Sequence, residues 1–98
     1  MICHFLPIAR REVLKAADYY FGISNPLGRD FLAEFHSAID RIQEAPEMGS
    51  HIAKGTRRRR VESFPFNVIY RASGDSVLIV AIAHHARRPN YWSRRKQT

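Results

Sequence analysis

The apolar period of the chain changes once, near its middle. Residues 2–6 form a short apolar stretch closed by Pro7, which predicts one edge strand. From Ile8 to Phe21, the positions Ile8, Val13, Leu14, Ala17, Tyr20 and Phe21 gather on one helical face, and Gly22 offers a stop. Asn25-Pro26 predicts a restart, with Asn25 as N-cap and Pro26 at the first helical position. Leu27, Phe31, Leu32, Phe35, Ala38, Ile39 and Ile42 follow at spacings of three and four, until Pro46 and Gly49 end the pattern. A connection of about four residues makes the two helices an antiparallel hairpin.

Beyond Gly49 the period shortens. Residues 57–63 predict a strand with charges on both faces, placed near a sheet edge or a functional surface. Residues 66–72 and 76–83 are rich in β-branched and aromatic side chains and are joined at Ser73-Gly74-Asp75, a hairpin signal. The second of them is apolar on both faces, as a strand covered at least in part on each side would be. Pro89 then breaks regular structure, and residues 84–98 form a basic tail carrying the only tryptophan, Trp92. The expected order is β-α-α-β-β-β. It describes a single α+β domain over residues 1–98, in which an N-terminal strand and an antiparallel helical hairpin pack on one face of a small, mostly antiparallel sheet.

Composition narrows the function classes. At 98 residues, 45% hydrophobic and 26% charged, the chain has a globular composition and the capacity for one modest core. A single cysteine, Cys3, excludes an intrachain disulfide and a four-thiolate zinc site. No apolar run approaches the ~18 residues that span a bilayer, and the N-terminal stretch is too short for a signal peptide. A cytoplasmic protein with no membrane partner is expected. Neither a metal-ligand cluster nor a phosphate-cradling glycine loop is present, so no metal and no organic cofactor are expected.

Charge adds a partner class. Residues 1–50 carry five bases against seven acids, whereas residues 51–98 carry eleven bases against only Glu62 and Asp75. Two clusters hold most of the excess: Lys54 with Arg57, Arg58, Arg59 and Arg60, then Arg87, Arg88, Arg94, Arg95 and Lys96. Only Lys15, Lys54 and Lys96 of the sixteen bases are lysines, and the planar arginine fork suits phosphate and carboxylate better than a point charge does. A polyanion, nucleic acid or an acidic protein segment, is the expected partner. Alternation divides the arginine run into Arg57/Arg59 and Arg58/Arg60, so the four cannot serve one ligand.

The element order and several local motifs resemble the RelE/ParE toxin superfamily of bacterial toxin–antitoxin modules, often labelled plasmid stabilisation proteins. The pieces are PIARREVLKAADYY, FLAEFHSAIDRIQEAPEMG and RRRRVESFPFNVIYRASGDSVLIVAIAHHARRPNYW, which together cover nearly the whole chain. The resemblance implies a type II toxin neutralised by a cognate antitoxin whose tail offers acidic and apolar side chains. The long helical hairpin and the FPF-x-VIYR strand look more like the ParE branch, which poisons DNA gyrase. The RelE branch, which cleaves messenger RNA in the ribosome without metal, is the alternative. A non-toxic small nucleic-acid-binding protein is the third.

Metal-free RNA cleavage needs a base for the 2′-hydroxyl, cations for the developing charge and an acid for the leaving oxygen. His84, His85, Arg87, Arg88 and Tyr91 lie within eight residues, with Glu62, Asn67 and Arg71 on neighbouring strands. Either histidine titrates in the right range, Arg71 and Arg87 can clamp a phosphate, and Tyr91 or Trp92 can stack on a base. The plainer roles are equally concrete. On a strand His84 and His85 point to opposite faces, and Tyr91 and Trp92 can pin the tail to the core. The resemblance also implies departures from the nuclease pattern: Asn67 stands where RelE-like enzymes place a strand arginine, Lys54 is the one counterpart of their lysines, and His85 or Arg87 matches their last arginine.

Overall fold

The computed structural model describes residues 2–96, so the last two residues of the predicted tail lie outside the described ones. The chain runs β1 (Ile2–Phe5), α1 (Pro7–Ile23), α2 (Asn25–Glu44), a short 3-10 turn (Pro46–Met48), β2 (Ser50–Ala53), β3 (Thr56–Arg60), β4 (Phe66–Ser73) and β5 (Ser76–His84). It is an α+β fold with a five-stranded mixed sheet in the order β1-β5-β4-β3-β2. Only the β1–β5 pair is parallel, and β1 lies at the edge. No helix among the described residues is long and apolar enough to cross a membrane.

The helical hairpin is tighter than the sequence predicts. Gly22 stays helical, and the break falls on Ser24 alone, an extended residue that closes α1 and opens α2. A proline ring clashes with the carbonyl four residues earlier, so Pro26 prevents α1 from continuing through this point. The N-cap is therefore Ser24 rather than Asn25: its hydroxyl accepts from the Leu27 N–H at 3.2 Å. Gly28 lets the second helix begin this close, because a Cβ there would overlap the Phe21 ring.

Both helices cover one sheet face. Phe31 and Phe35 of α2 are buried, and the Phe31 ring meets Phe64 and Phe66 edge-on while Phe35 meets Phe5 of β1. Val68 and Tyr70 of β4 point into this layer, fully buried. The Tyr70 hydroxyl donates to the Pro46 carbonyl at 2.6 Å and accepts from the Gly49 N–H at 3.2 Å, which ties the end of α2 to the sheet.

Two strand boundaries differ from expectation. The strand predicted over 57–63 ends at Arg60, because Val61 and Phe64 turn into the core and the Val61 N–H donates to the Phe66 carbonyl. Strand β2 had no prediction at all. It is a four-residue edge strand joined to β3 through Gly55 at φ +69°.

The tail crosses the other sheet face and closes a gap in the edge of β5. Strand β1 ends at Phe5, so beyond Ile79 that edge has no strand partner. Val80 is an extra residue in the β4–β5 ladder, because Ile69 pairs with Ala81 and Tyr70 with Ile79. This bulge turns the backbone groups of Val80 and Ile82 toward the open edge. Glu12 of α1 and the tail take them up: the Ile82 N–H donates to Glu12 Oε1 at 3.0 Å, and Arg95 Nη1 donates to the Val80 carbonyl at 3.1 Å. Arg95 also grips Glu12 with both nitrogens, at 2.7 and 3.1 Å, and the Tyr91 hydroxyl donates to Glu12 Oε2 at 2.7 Å. Trp92, 5% exposed, fixes the same segment in the core.

Removing one partner of a largely buried ion pair leaves the other charge unpaired, so Glu12→Met should cost about 3 kcal/mol and Glu12→Gln, whose carboxamide still accepts from Ile82, about half of that. The double variant Glu12→Met/Arg95→Met should stay destabilised in urea, because the Val80 and Ile82 backbone groups lose their partners as well. Recovery of wild-type stability in the double variant would contradict the edge-sealing role. Burial and the hydrogen bond to Glu12 push the Tyr91 hydroxyl well above its ordinary range. A folded-state pKa above the unfolded one stabilises fully below about pH 10 and is lost as pH rises through the folded value. Alkaline titration of stability should accordingly fall less steeply in Tyr91→Phe than in the parent.

Candidate functional site

The basic residues separate into those that hold the fold and those that face solvent. Arg57 lies on the helix side, where its Nη1 donates to the Gly49 carbonyl at 2.9 Å. Arg59, next but one along β3, is half-buried on that same side. Arg71 donates from Nε to Thr56 Oγ1 at 3.2 Å and from Nη1 to the Arg95 carbonyl at 3.1 Å, fastening the tail to β4. Arg95 is committed to Glu12. Arg94 is exposed on the tail, and Lys54 sits exposed in the β2–β3 turn, at the opposite end of β3 from Arg60.

Arg58 and Arg60 differ. They project from the sheet face opposite the helices, and both are exposed. In the ladder Arg60 pairs with Asn67 of β4, and Arg58 with Ser50 of β2. His85 follows directly on β5, its N–H held by the Pro65 carbonyl at 2.9 Å. These five side chains, Ser50, Arg58, Arg60, Asn67 and His85, line one open cavity of about 490 Å³ that contains no carboxylate. A smaller cavity of about 190 Å³ adjoins it, sharing Arg58, Asn67 and His85 and extending to Arg88 and Pro89 of the tail. Burial first, then the charges of Arg60, His84 and Arg58, hold the His85 imidazole below its ordinary pKa. The cup is thus a set of donors whose positive charges oppose one another.

The two histidines do point to opposite faces. His84 packs edge-on against Phe66 with ring centroids 5.0 Å apart, and its Nδ1 accepts from the Ala86 N–H at 2.9 Å. It lines a second cavity of about 490 Å³, an apolar groove between α1 and the end of the sheet walled by Ala16, Tyr19, Tyr20, Ile23 and Phe66. Glu12, Lys15 and Arg87 are among its lining residues, the Glu12 carboxylate being paired with Arg95. Tyr19 and Ile23 are 65% and 58% exposed there. The Arg87 guanidinium lies 3.9 Å above the centre of the Tyr91 ring.

The candidate residues do not all share one site. His85, Arg58 and Arg60 converge, with Asn67. His84 and Arg87 line the groove on the other face and also reach the smaller cavity beside the cup, which Arg88, Tyr91 and Trp92 line as well. Tyr91, Arg71 and Arg95 spend their polar atoms on the tail, Trp92 is core, and Glu62 is exposed in the β3–β4 turn. Among the described residues no three His, Cys, Asp or Glu side chains gather as a metal-ligand set. Sequence reasoning missed two residues. Ser50 belonged to an unrecognised strand, for which Gly55 in a Lys-Gly turn was the available signal. Glu12 interrupts an apolar face at the i+3 position between Ala9 and Val13, and a carboxylate there marks a buried partner.

Comparison with known proteins accords with this architecture. A solved structure described as the chromosomal ParDE TA system from P. aeruginosa contains a chain similar in fold, with a TM-score of 0.72 at 18% identity, over 86% of this chain and 95% of that one. No curated relative matches the sequence. The family model for the ParE toxin of the type II toxin-antitoxin system, parDE, matches residues 4–89. The chain belongs to the ParE toxin family of type II toxin–antitoxin systems.

Proposed function

We propose that this protein is the growth-inhibiting toxin of a type II pair, that it poisons DNA gyrase, and that a cognate antitoxin neutralises it. The family match over residues 4–89 carries the reading. The geometry favours target binding over RNA cleavage as the means. Of the groups that a metal-free nuclease would need, the Tyr91 hydroxyl is engaged by Glu12, His84 Nδ1 by the Ala86 N–H and the Arg71 guanidinium by Thr56 and the tail. His84 keeps its Nε2 and reaches the smaller cavity beside His85, but the two imidazoles leave the strand end on opposite faces and so do not flank one phosphate as base and acid.

The antitoxin is assigned to the groove beside α1. Its apolar wall with Lys15 and Arg87, its one carboxylate Glu12 being neutralised by Arg95, matches a segment carrying apolar and acidic side chains. Seating such a segment would cover Tyr19 and Ile23, both largely exposed in this chain.

With purified protein and gyrase, supercoiling should be inhibited and cleaved DNA should accumulate, while primer extension on a translated message shows no new ends. Codon-aligned cuts that appear only on translated message would replace this reading with the ribosome-dependent nuclease. Unaltered growth on induced expression would leave the non-toxic nucleic-acid-binding protein.

Tyr19→Asp or Ile23→Asp should weaken antitoxin binding about ten-fold or more, since each buries a charge against an apolar surface. Circular dichroism should be unchanged because both side chains are exposed. Undiminished affinity in both variants would place the antitoxin elsewhere.

A further inference from the structure

The carboxylate-free cup on the face opposite the helices has no role in the readings above. We infer that Ser50, Arg58, Arg60, Asn67 and His85 bind a phosphodiester of a nucleic-acid strand, with the adjoining cavity beside Arg88 and Pro89 taking the sugar attached to that phosphate. This goes beyond the gyrase reading and does not require it.

The donor set selects the ligand. Arg58 and Arg60 stand two apart on one strand, about 7 Å from each other along it, so their forks approach an anion from neighbouring directions. Asn67, Ser50 and His85 add an amide, a hydroxyl and an imidazole from three further strands or their ends. A planar carboxylate is satisfied by one fork, whereas a phosphodiester presents oxygens in several directions and is matched by donors arriving from several strands. The adjoining cavity favours phosphate as well. It continues the cup through Arg58, Asn67 and His85, as the continuous sugar–phosphate chain requires, and Arg87 and Arg88 of the tail line it beside Pro89 and Asn90.

Selective availability adds a second argument. Arg57, Arg71 and Arg95 each donate to a protein acceptor, while Arg58 and Arg60 have no ion-pair partner among the described residues. The groups facing His85 are Arg58 and Arg60 of β3 and His84 of its own strand, all cationic or able to become so, with Arg87 and Arg88 around the adjoining cavity. An anion in the cup relieves that repulsion and favours protonated His85. The free-state pKa lies below the ordinary value and rises on binding, so the complex takes up a proton and affinity increases as pH falls through the histidine range.

The test is fluorescence anisotropy of a labelled single-stranded oligonucleotide, at several salt concentrations and from pH 8 to 5.5. Arg58→Ala/Arg60→Ala should weaken binding about thirty-fold or more and lower the salt slope by about 1.4, the contribution of two charges to a single strand. Lys54→Ala, at the far end of β3, should change the affinity less than three-fold. Wild-type affinity should rise as pH falls, and His85→Gln should flatten the dependence. Equal losses in Lys54→Ala and in the double variant would overturn the site, as would a poly-glutamate peptide that displaces the oligonucleotide at equal charge concentration. Oligonucleotide binding that depends on Arg58 and Arg60, in a protein without effect on gyrase, would uphold the site and refute only the gyrase target.

Discussion

The Glu12 carboxylate meets the one demand that this topology cannot meet with backbone alone. Strand β5 is long and interior, but its parallel neighbour β1 has only four residues before Pro7 turns the chain into a helix. Half of the β5 edge is thus left without a ladder, and unpaired backbone groups in a largely buried position are costly. The bulge at Val80 concentrates the problem at two residues, and a single helix side chain with a tail arginine resolves it. The consequence is global. A helix on one face, the sheet edge and a tail lying on the opposite face become one unit, so the position of residues 86–96 is set by α1. Each cavity wall contributed by the tail inherits its geometry from this contact.

That arrangement also determines which positive charges remain available. A chain with so large a basic excess invites the reading that all of its arginines form one interaction surface. The structure assigns several of them internal work instead: Arg57 to the end of α2, Arg71 to the tail carbonyl, Arg95 to Glu12, Arg87 to the Tyr91 ring. What is left to solvent on the sheet is Arg58 and Arg60, isolated by alternation from their immediate neighbours. The separation matters because a guanidinium that already donates to buried acceptors would have to abandon them to meet a ligand, whereas an exposed one loses only water.

The element types and their order were legible because the apolar periods are long and unmixed, and because Pro26, Pro46 and Gly74 punctuate them. The hairpin boundary was harder. Gly22 reads as a stop by local preference, but one glycine in the last turn costs only about 1 kcal/mol, whereas the constraint imposed by Pro26 is larger and acts further along the chain. Strand β2 escaped notice because four residues, mostly exposed, carry no period and gain their regularity from pairing with β3. The candidate site was half legible. Alternation correctly parted His84 from His85 and Arg58/Arg60 from Arg57/Arg59, since it needs only a strand. Which side of the sheet the tail would cross, and hence which polar atoms it would consume, depends on Glu12, some seventy residues away in sequence from the strand it seals. No local pattern holds that information.

Two cavities of similar size lie back to back at the end of β5, one apolar on the helix face and one cationic on the other, and consecutive histidines belong one to each. A catalytic centre would draw its acid and its base into one space. Here alternation turns the two imidazoles to opposite faces, so they meet only at the smaller cavity beside the tail, where the Tyr91 hydroxyl is already held by Glu12. Such a layout suits a protein that meets two partners on two surfaces: an apolar, weakly charged segment against the helix, and a polyanion against the sheet. The uneven charge along the sequence is the linear trace of the same division, because the acid-rich half folds into the helices and the base-rich half into the strands and the strap that crosses them.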